Sequence, residues 1–309
     1  MRIVVHGQQA FGKAVLEALL KRGENVVAVY VAPEKPGQKA DPLKEAAQAA
    51  GLPVYQPASY RKPDVWEEFR ALKPDLQVMA FVTLFVPEDF LNIPTHGSIQ
   101  YHPSLLPAYR GASAINWQII KGEKEAGLSI FWPDNGLDTG DILVTRKTPI
   151  GPTDTLGTLY FDRLFPMGVE AMLEGVDLVK AGKAPRIKQD ESLATYEGRA
   201  TADIARIDWG KSWRQIDPLI RGCNPAPGAW TTHDGKIVKV FDVTPIPAKD
   251  PKGIGGKLGE VVAVEADGVT VVCADGRLKI TRVQPEGGKK IEAGEWARAV
   301  NLAAGARLG

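Results

Sequence analysis

The first eighty residues alternate two kinds of apolar pattern, and that alternation limits the fold more than any other feature. Met1–Gly7 carries Ile3, Val4 and Val5 in a contiguous β-branched run, the signature of a strand buried on both faces. Phe11–Arg22 follows with Val15, Leu16, Leu19 and Leu20 at helical spacing, and Gly23 ends it as a C-terminal cap. The same cycle repeats: strand Asn25–Ala32, helix Asp41–Ala50 closed by Gly51, strand Leu52–Gln56, helix Pro63–Leu72, strand Leu76–Val82. Strands separated by helices predict an α/β, Rossmann-like, doubly wound parallel sheet.

The pattern changes along the chain. Asp154–Ala181 is a long helical segment, with Thr153 or Asp154 to cap it and Pro166 to bend it. Gly182–Ala202 is polar and irregular and reads as a linker. Lys236–Val243, Lys257–Val264, Val269–Ala274 and Leu278–Val283 are short strand-like runs parted by Gly, Pro and Asp. They predict a small β-barrel of the oligonucleotide-fold type. The expected domains are residues 1–200, catalytic, and 201–309, the barrel, with Ala303–Gly309 frayed. A chain of 309 residues has room for two domains, and a composition 44% hydrophobic and 24% charged supplies a core. A formal charge of +1 argues against a field built for nucleic acid, and two cysteines make no disulfide framework. Neither a secretory signal nor a membrane span is visible, so a cytoplasmic, non-membrane protein is expected.

Chemistry gathers in two stretches. His96–Asn116 reaches His102 and then meets Pro103, Pro107 and Arg110-Gly111, so the histidine lies on an irregular segment just past a strand end. Open α/β sheets carry their chemistry there. Gly136–Asp141 is a tight acidic turn between the strand-like runs Leu128–Trp132 and Ile142–Lys147. A histidine and a carboxylate on separate turns can move protons, although many such pairs are structural.

Other readings of these residues are weaker. Gly7 and Gly12 in HGQQAFG lack the third glycine of a dinucleotide fingerprint, and no acid closes the second strand, so a plain strand-to-helix turn is expected. Asp138-Thr139-Gly140 occurs once, whereas aspartic-protease chemistry needs two carboxylates. Ser104 lies in no nucleophile turn and is expected to hydrogen-bond within its loop. Asp134, Asp138, Asp141 and His102 lack metal-ligand spacing, so no metal is expected. His6 and His96 read as structural, and His233 as exposed.

HPSLLPAYRGASAINW and GLDTGD together resemble the signature of the formyltransferases that use 10-formyltetrahydrofolate. ARIDW and IRGCNPAPGAW resemble the entry to that family's C-terminal domain, so the likeness covers nearly the whole chain. GASAINW, SIFW, LDTGD, FPMG, GKAPR and ATYEG most resemble the N-terminal hydrolase domain of 10-formyltetrahydrofolate dehydrogenase. The resemblance implies 10-formyltetrahydrofolate as formyl donor and an attack on its formyl group by water or an amine. It assigns catalysis to His102 and Asp138. It lays the pteridine against Met79–Pro87, through Met79, Phe81, Leu84, Phe85, Val86 and Pro87, with Asp134 and Gly136 nearby. Gln100 stands where most family transferases carry asparagine, and is a third candidate catalytic residue. The dehydrogenase continues into a carrier segment and an aldehyde-dehydrogenase-like domain outside these 309 residues, so no nicotinamide cofactor is expected. The segment PEKPGQKADPLKEAA is shorter and of more mixed charge than the basic loop of the tRNA enzyme, which disfavours tRNA as acceptor. Methionyl-tRNA formyltransferase remains the first alternative. A folate-binding module that has lost turnover through Gln100 is the second.

Overall fold

The computed structural model describes residues 1–248 and 255–309. The expected alternation forms β1 (Arg2–Gly7), α1 (Gln9–Lys21), β2 (Asn25–Val31), α2 (Pro42–Ala49), β3 (Val54–Tyr55), α3 (Pro63–Ala71), β4 (Leu76–Ala80), α4 (Glu88–Leu91) and β5 (Ser98–His102). Gly23 and Gly51 end α1 and α2 at φ +74° and +70°, a conformation that costs glycine nothing. After α5 (Ala114–Ile120) come β6 (Glu125–Phe131) and β7 (Ile142–Pro149). Among the described residues one sheet runs β3-β2-β1-β4-β5-β6-β7. Strands β1 to β5 pair in parallel, but β5 and β6 pair antiparallel, so the doubly wound region ends at β5.

Strand order reverses between β1 and β4, the kind of point at which open α/β sheets hold ligands past the strands' carboxyl ends. Gly7 lets β1 and β4 approach closely: a Cβ on it would lie 2.1 Å from the Ala80 carbonyl oxygen. The N-terminus of α1 already binds an anion from its own chain. The Gln9 N–H lies 2.9 Å from both Asp41 carboxylate oxygens, and the same side chain caps α2 by accepting from the Leu43 N–H. The glycines of HGQQAFG therefore serve backbone packing.

The sheet's two faces differ. Ile3, Val5, Val29, Leu76, Val78, Ile99 and Tyr101 join one core with residues of α1 and of α7 (Phe165–Lys180). Phe11 of α1 packs 4.3 Å from Tyr101 between ring centres, and Gly168 of α7 leaves room for both rings. The other face carries Val4, Ala28, Tyr30 and Met79 against Phe69 of α3 and Phe90 of α4. Strand alternation turns Ser98, Gln100 and His102 of β5 away from Ile99 and Tyr101, toward this second face.

The expected long helix is interrupted. A short α6 (Leu156–Leu159), capped by Thr155 through a capping box, widens into a π-turn over Tyr160–Leu164 before α7 begins. Pro166 explains the break, because it has no N–H to return to residue 162.

The chain divides into two compact units: residues 1–111, 125–148 and 161–196, and residues 112–124, 149–160 and 197–309. The second unit includes α8 (Trp213–Gly222), β8 (Ala229–His233), β9 (Lys236–Pro247), β10 (Val261–Glu265), β11 (Gly268–Cys273), β12 (Gly276–Pro285), β13 (Ile291–Glu292) and α9 (Ala293–Ala299). Its described strands form an antiparallel sheet ordered β10-β11-β12-β9-β8, with β13 on β12. The tail expected to fray bridges the two edge strands instead. Gly305 N–H donates to Val261 O and Gly309 N–H to Thr232 O, and Leu308 is 2% exposed. These bonds cover part of both edges of the sheet. In the same unit, Asn116 donates to the Gly222 and Ala226 carbonyls, joining the motifs GASAINW and CNPAPGAW. His233, expected to be exposed, is half-buried edge-on against Trp296.

His6 on β1 is wholly buried, with Nε2 2.8 Å from the Tyr60 hydroxyl and Nδ1 2.9 Å from the Gln77 amide nitrogen. The amide can only donate, so Nδ1 accepts and Nε2 carries the ring hydrogen. Burial lowers its pKa from 6.5 to about 3. Between those values the unfolded chain binds a proton that the native chain does not. Stability from this group is therefore full above the unfolded pKa and falls as pH drops toward the folded one, by roughly 1.4 kcal/mol per pH unit. Urea unfolding between about pH 4 and 6 should lose about one proton of slope in His6→Gln relative to wild type. Equal slopes would mean that buried His6 is not the neutral group inferred here.

Candidate active site

His102 ends β5, and its ring is held from both sides. Nε2 lies 2.8 Å from the Tyr109 carbonyl oxygen, which can only accept, so Nε2 carries hydrogen. Nδ1 faces Asp138 Oδ2 at 3.4 Å, with side chains 7% and 9% exposed. That gap exceeds the ~2.7–2.9 Å of a committed charge-assisted bond. A proton on Nδ1 can therefore be shared with a third oxygen placed beside the pair.

The histidine loop is shaped by its prolines and by backbone in the left-handed region. Tyr109 has φ +58° and Gly111 φ +90°. Ser104, as expected, spends its hydroxyl inside the loop, donating to Ala108 O at 2.6 Å. Gly111 N–H then donates to Asp138 Oδ2 at 2.8 Å, so the loop that orients the histidine also holds the aspartate.

The acidic turn folds back on itself, which explains both its glycines. A Cβ on Gly140 would sit 1.7 Å from the Trp132 carbonyl oxygen, and one on Gly136 would sit 1.9 Å from Thr139 Oγ1. Asp134 Oδ1 accepts from the Gly136 N–H at 3.0 Å and from the Thr139 hydroxyl at 2.6 Å. Asn135 exchanges two hydrogen bonds with Glu88 at the start of α4. Asp138 is thereby fixed at φ +57°, a conformation that non-glycine residues rarely adopt.

Gln100 lies two residues before His102 on the same face of β5 and is half-buried. Its amide makes no hydrogen bond to another described residue. The segment 79–87 divides. Met79 and Val86 are core residues with Leu84 packed against them, whereas Phe81, at φ +65°, and Phe85 are exposed. Arg61 stacks over the Phe85 ring at 5.1 Å. Pro87 caps α4. Among the described residues, no three His, Cys, Asp or Glu side chains gather as a metal site.

Sequence reasoning missed the residues that brace both turns from the segment read as a linker. Gln189 donates to the Asp138 and Gly140 carbonyls at 2.9 and 2.7 Å, and Thr195 Oγ1 accepts from the Tyr109 N–H at 2.8 Å. No periodicity marks them. The motif ATYEG, which contains Thr195, was the one signal pointing there.

The sequence profile described as "Formyl transferase" matches residues 1–176, and that described as "Formyl transferase, C-terminal domain" matches residues 199–301. Cytosolic 10-formyltetrahydrofolate dehydrogenase of Xenopus laevis is 41% identical over 98% of this chain and 35% of that protein. The chain thus spans about a third of the length of such relatives. Methionyl-tRNA formyltransferase of Geotalea uraniireducens is 40% identical over 100% of this chain and 98% of that protein. HypX from Aquifex aeolicus, solved with tetrahydrofolic acid, shares the fold at TM-score 0.70 and 20% identity, over 98% of this chain and 48% of that one. The N-formyltransferase from Helicobacter canadensis, solved with folinic acid and dTDP-3-aminofucose, does so at TM-score 0.67 and 19% identity, over 94% and 99%.

Gly140→Ala should abolish the turn, because its new methyl meets backbone that cannot give way. The expected result is a protein melting several degrees lower, a loss of at least ~1 kcal/mol. A Gly140→Ala variant with wild-type melting would disprove the close approach drawn for Gly140 and Trp132.

Proposed function

The chain belongs to the formyl transferase family, and on that premise we propose that it moves the formyl group of 10-formyltetrahydrofolate to water or an amine, releasing tetrahydrofolate. The observation that carries this reading is the buried approach of His102 Nδ1 to Asp138 Oδ2 at the end of β5.

The reaction needs few parts. The nucleophile attacks the formyl carbon, and its proton passes to Asp138. That general-base step is worth ~10²–10⁴ in rate. The tetrahedral oxyanion accepts hydrogen bonds from the Gln100 amide and from His102 Nδ1–H when the imidazole carries both ring hydrogens. The carbon–N10 bond then breaks, N10 takes the proton that Asp138 accepted, and the formyl group leaves as formate or as a formamide. The exposed rings of Phe81 and Phe85 offer apolar faces to the pteridine, and the backbone of 79–87, with Asp134 and Gly136, offers its edge polar partners.

Water is the acceptor expected when no amine is supplied. Methionyl-tRNA is a second reading, favoured by the full-length likeness to a methionyl-tRNA formyltransferase. The loop after β2 argues against it. Lys44 is paired with Glu34 at 2.9 Å, and the Gln56 amide with that lysine holds the Glu34 pKa down at about 2. Incubation with 10-formyltetrahydrofolate alone should yield tetrahydrofolate and formate. Turnover only on addition of methionyl-tRNA would replace the first reading by the second. Folate binding with neither reaction would make the chain a binding module.

Asp138→Asn should cut turnover by ~10²–10⁴ and His102→Ala by ~10²–10³, each with an unchanged circular dichroism spectrum and little change in affinity for a non-reactive folate analogue. Near-wild-type turnover in either variant would remove the role given to that residue.

Gln100→Leu should slow formyl transfer by at least ~10-fold, because it deletes an oxyanion donor without changing the strand. Gln100→Asn should shift the ratio of hydrolysis to amine transfer. If both variants keep rate and acceptor preference within about two-fold, less than ~0.5 kcal/mol, Gln100 contributes shape alone.

A further inference from the structure

We propose that Gln189 is the positioning residue that sets the two catalytic turns against each other. The inference rests on the reading of His102 and Asp138 as the reacting pair.

Its side-chain amide has two N–H donors and a carbonyl oxygen with two lone pairs, and all four are used. Nε2 donates to the carbonyls of Asp138 and Gly140, on either side of Thr139, at 2.9 and 2.7 Å. Oε1 accepts from Arg110 Nε at 3.1 Å and from Arg110 Nη2 at 2.8 Å. One end of the amide therefore grips the acidic turn and the other grips the histidine loop.

Arg110 makes the grip stiff. The residue is 1% exposed, and its remaining N–H groups go to Glu191 at 2.9 and 2.6 Å and to the Tyr196 hydroxyl at 2.7 Å. Five donors thus meet five acceptor contacts, which a buried guanidinium requires. Pairing with Glu191 holds the Arg110 pKa above the usual guanidinium range. Its neighbours in sequence are the groups that touch the pair: the Tyr109 carbonyl binds His102 Nε2, and the Gly111 N–H binds Asp138 Oδ2. Thr195 holds the same stretch by its backbone, through Arg110 N–H to Thr195 O and Thr195 N–H to Pro107 O.

The consequence concerns Asp138. Its left-handed backbone is uphill for a side chain with a Cβ, and the Gln189 bonds to carbonyls 138 and 140 hold it there. Without them the turn can relax to negative φ, which swings the carboxylate away from His102 Nδ1. Misplacement of about 1 Å costs on the order of 10²-fold in rate.

Gln189→Leu, close in size and without hydrogen bonds, should lower kcat by about 10- to 100-fold while KM for 10-formyltetrahydrofolate stays within about three-fold. Gln189→Glu keeps the acceptor for Arg110 but turns an oxygen toward two carbonyls, and should lose turnover similarly. It carries the test if the leucine variant folds poorly. A second readout does not depend on turnover. The chain has 4 histidines, so the imidazole titration of His102 is readily assigned by NMR against His102→Ala. In both Gln189 variants the His102 titration should move while those of the other three histidines stay in place. A merely structural Gln189 would lower melting temperature without changing the kcat of folded protein or the His102 curve. Folded variants with kcat within about two-fold of wild type and a superimposable His102 titration would overturn the proposal. A wild-type protein inert toward 10-formyltetrahydrofolate would sink the functional reading, and the His102 titration would then decide on Gln189 by itself.

Discussion

The 2.8 Å hydrogen bond from the Gly111 N–H to Asp138 Oδ2 is the contact on which the site depends. It joins a loop following β5 to a turn following β6, two elements far apart in local sequence logic. Around it the backbone is driven into the left-handed region at Tyr109, Gly111 and Asp138. Such residues persist only where their surroundings over-determine them, and here the surroundings are specific. Gly140 fits against the Trp132 carbonyl, Asp134 ties its own turn, and Gln189 and Thr195 brace the two loops from the third segment of the first unit.

A polar row crosses the sheet on the same side as the reacting pair. His6, Gln77 and Ser98 lie on neighbouring strands and are linked to each other, with Tyr60 at one end and the single Ser98 hydroxyl hydrogen shared between Gln77 Oε1 and the Leu91 carbonyl at the other. Burying such groups unpaired would cost roughly 1–3 kcal/mol each, so their pairing is obligatory. Gln100 and His102 continue this polar face of β5 toward its open end. There the pairing stops being complete: the Gln100 amide has no partner among the described residues. A closed polar network thus passes, along a single strand, into one with unmet capacity where a substrate is expected.

Much of this was legible in the sequence, for local reasons. Gly23 and Gly51 act within a turn or two of themselves, so helix ends could be read directly, whereas Pro166 announced only a bend where the chain widens into a π-turn before α7. His102 and Asp138 stood out because prolines and glycines around them forbid regular structure. What could not be read depends on pairing at long range. The antiparallel β6 follows from where the chain returns, and neither its length nor its composition differs from that of a parallel strand. The segment around Gln189 looked like a linker because its hydrogen bonds go to loops about 50 to 85 residues away. The tail looked frayed because the strand edges it bonds, at Val261 and Thr232, exist only once the antiparallel sheet has formed.

The geometry also explains why family membership and acceptor identity are separate questions. Residues of GLDTGD are consumed by the turn itself: Gly136 and Gly140 by close approach, Thr139 by Asp134, Asp138 by the pair. In the histidine motif, Ser104 and Arg110 are spent on bracing the loop. None of these side chains is left over to recognise what attacks the formyl carbon, so any acceptor would require the same set. Discrimination has to come from groups with free capacity. The structure leaves the half-buried Gln100 amide without a partner among the described residues, two positions before His102, and Lys35 and Lys39 exposed in the loop after β2, while Lys44 of α2 is already paired with Glu34. On the proposed mechanism Gln100 meets the formyl oxygen whereas the lysines lie at a surface, so they would act on different things. On that mechanism a change at Gln100 would alter which nucleophile is productive once it has arrived, whereas a change in the loop would alter which acceptor arrives.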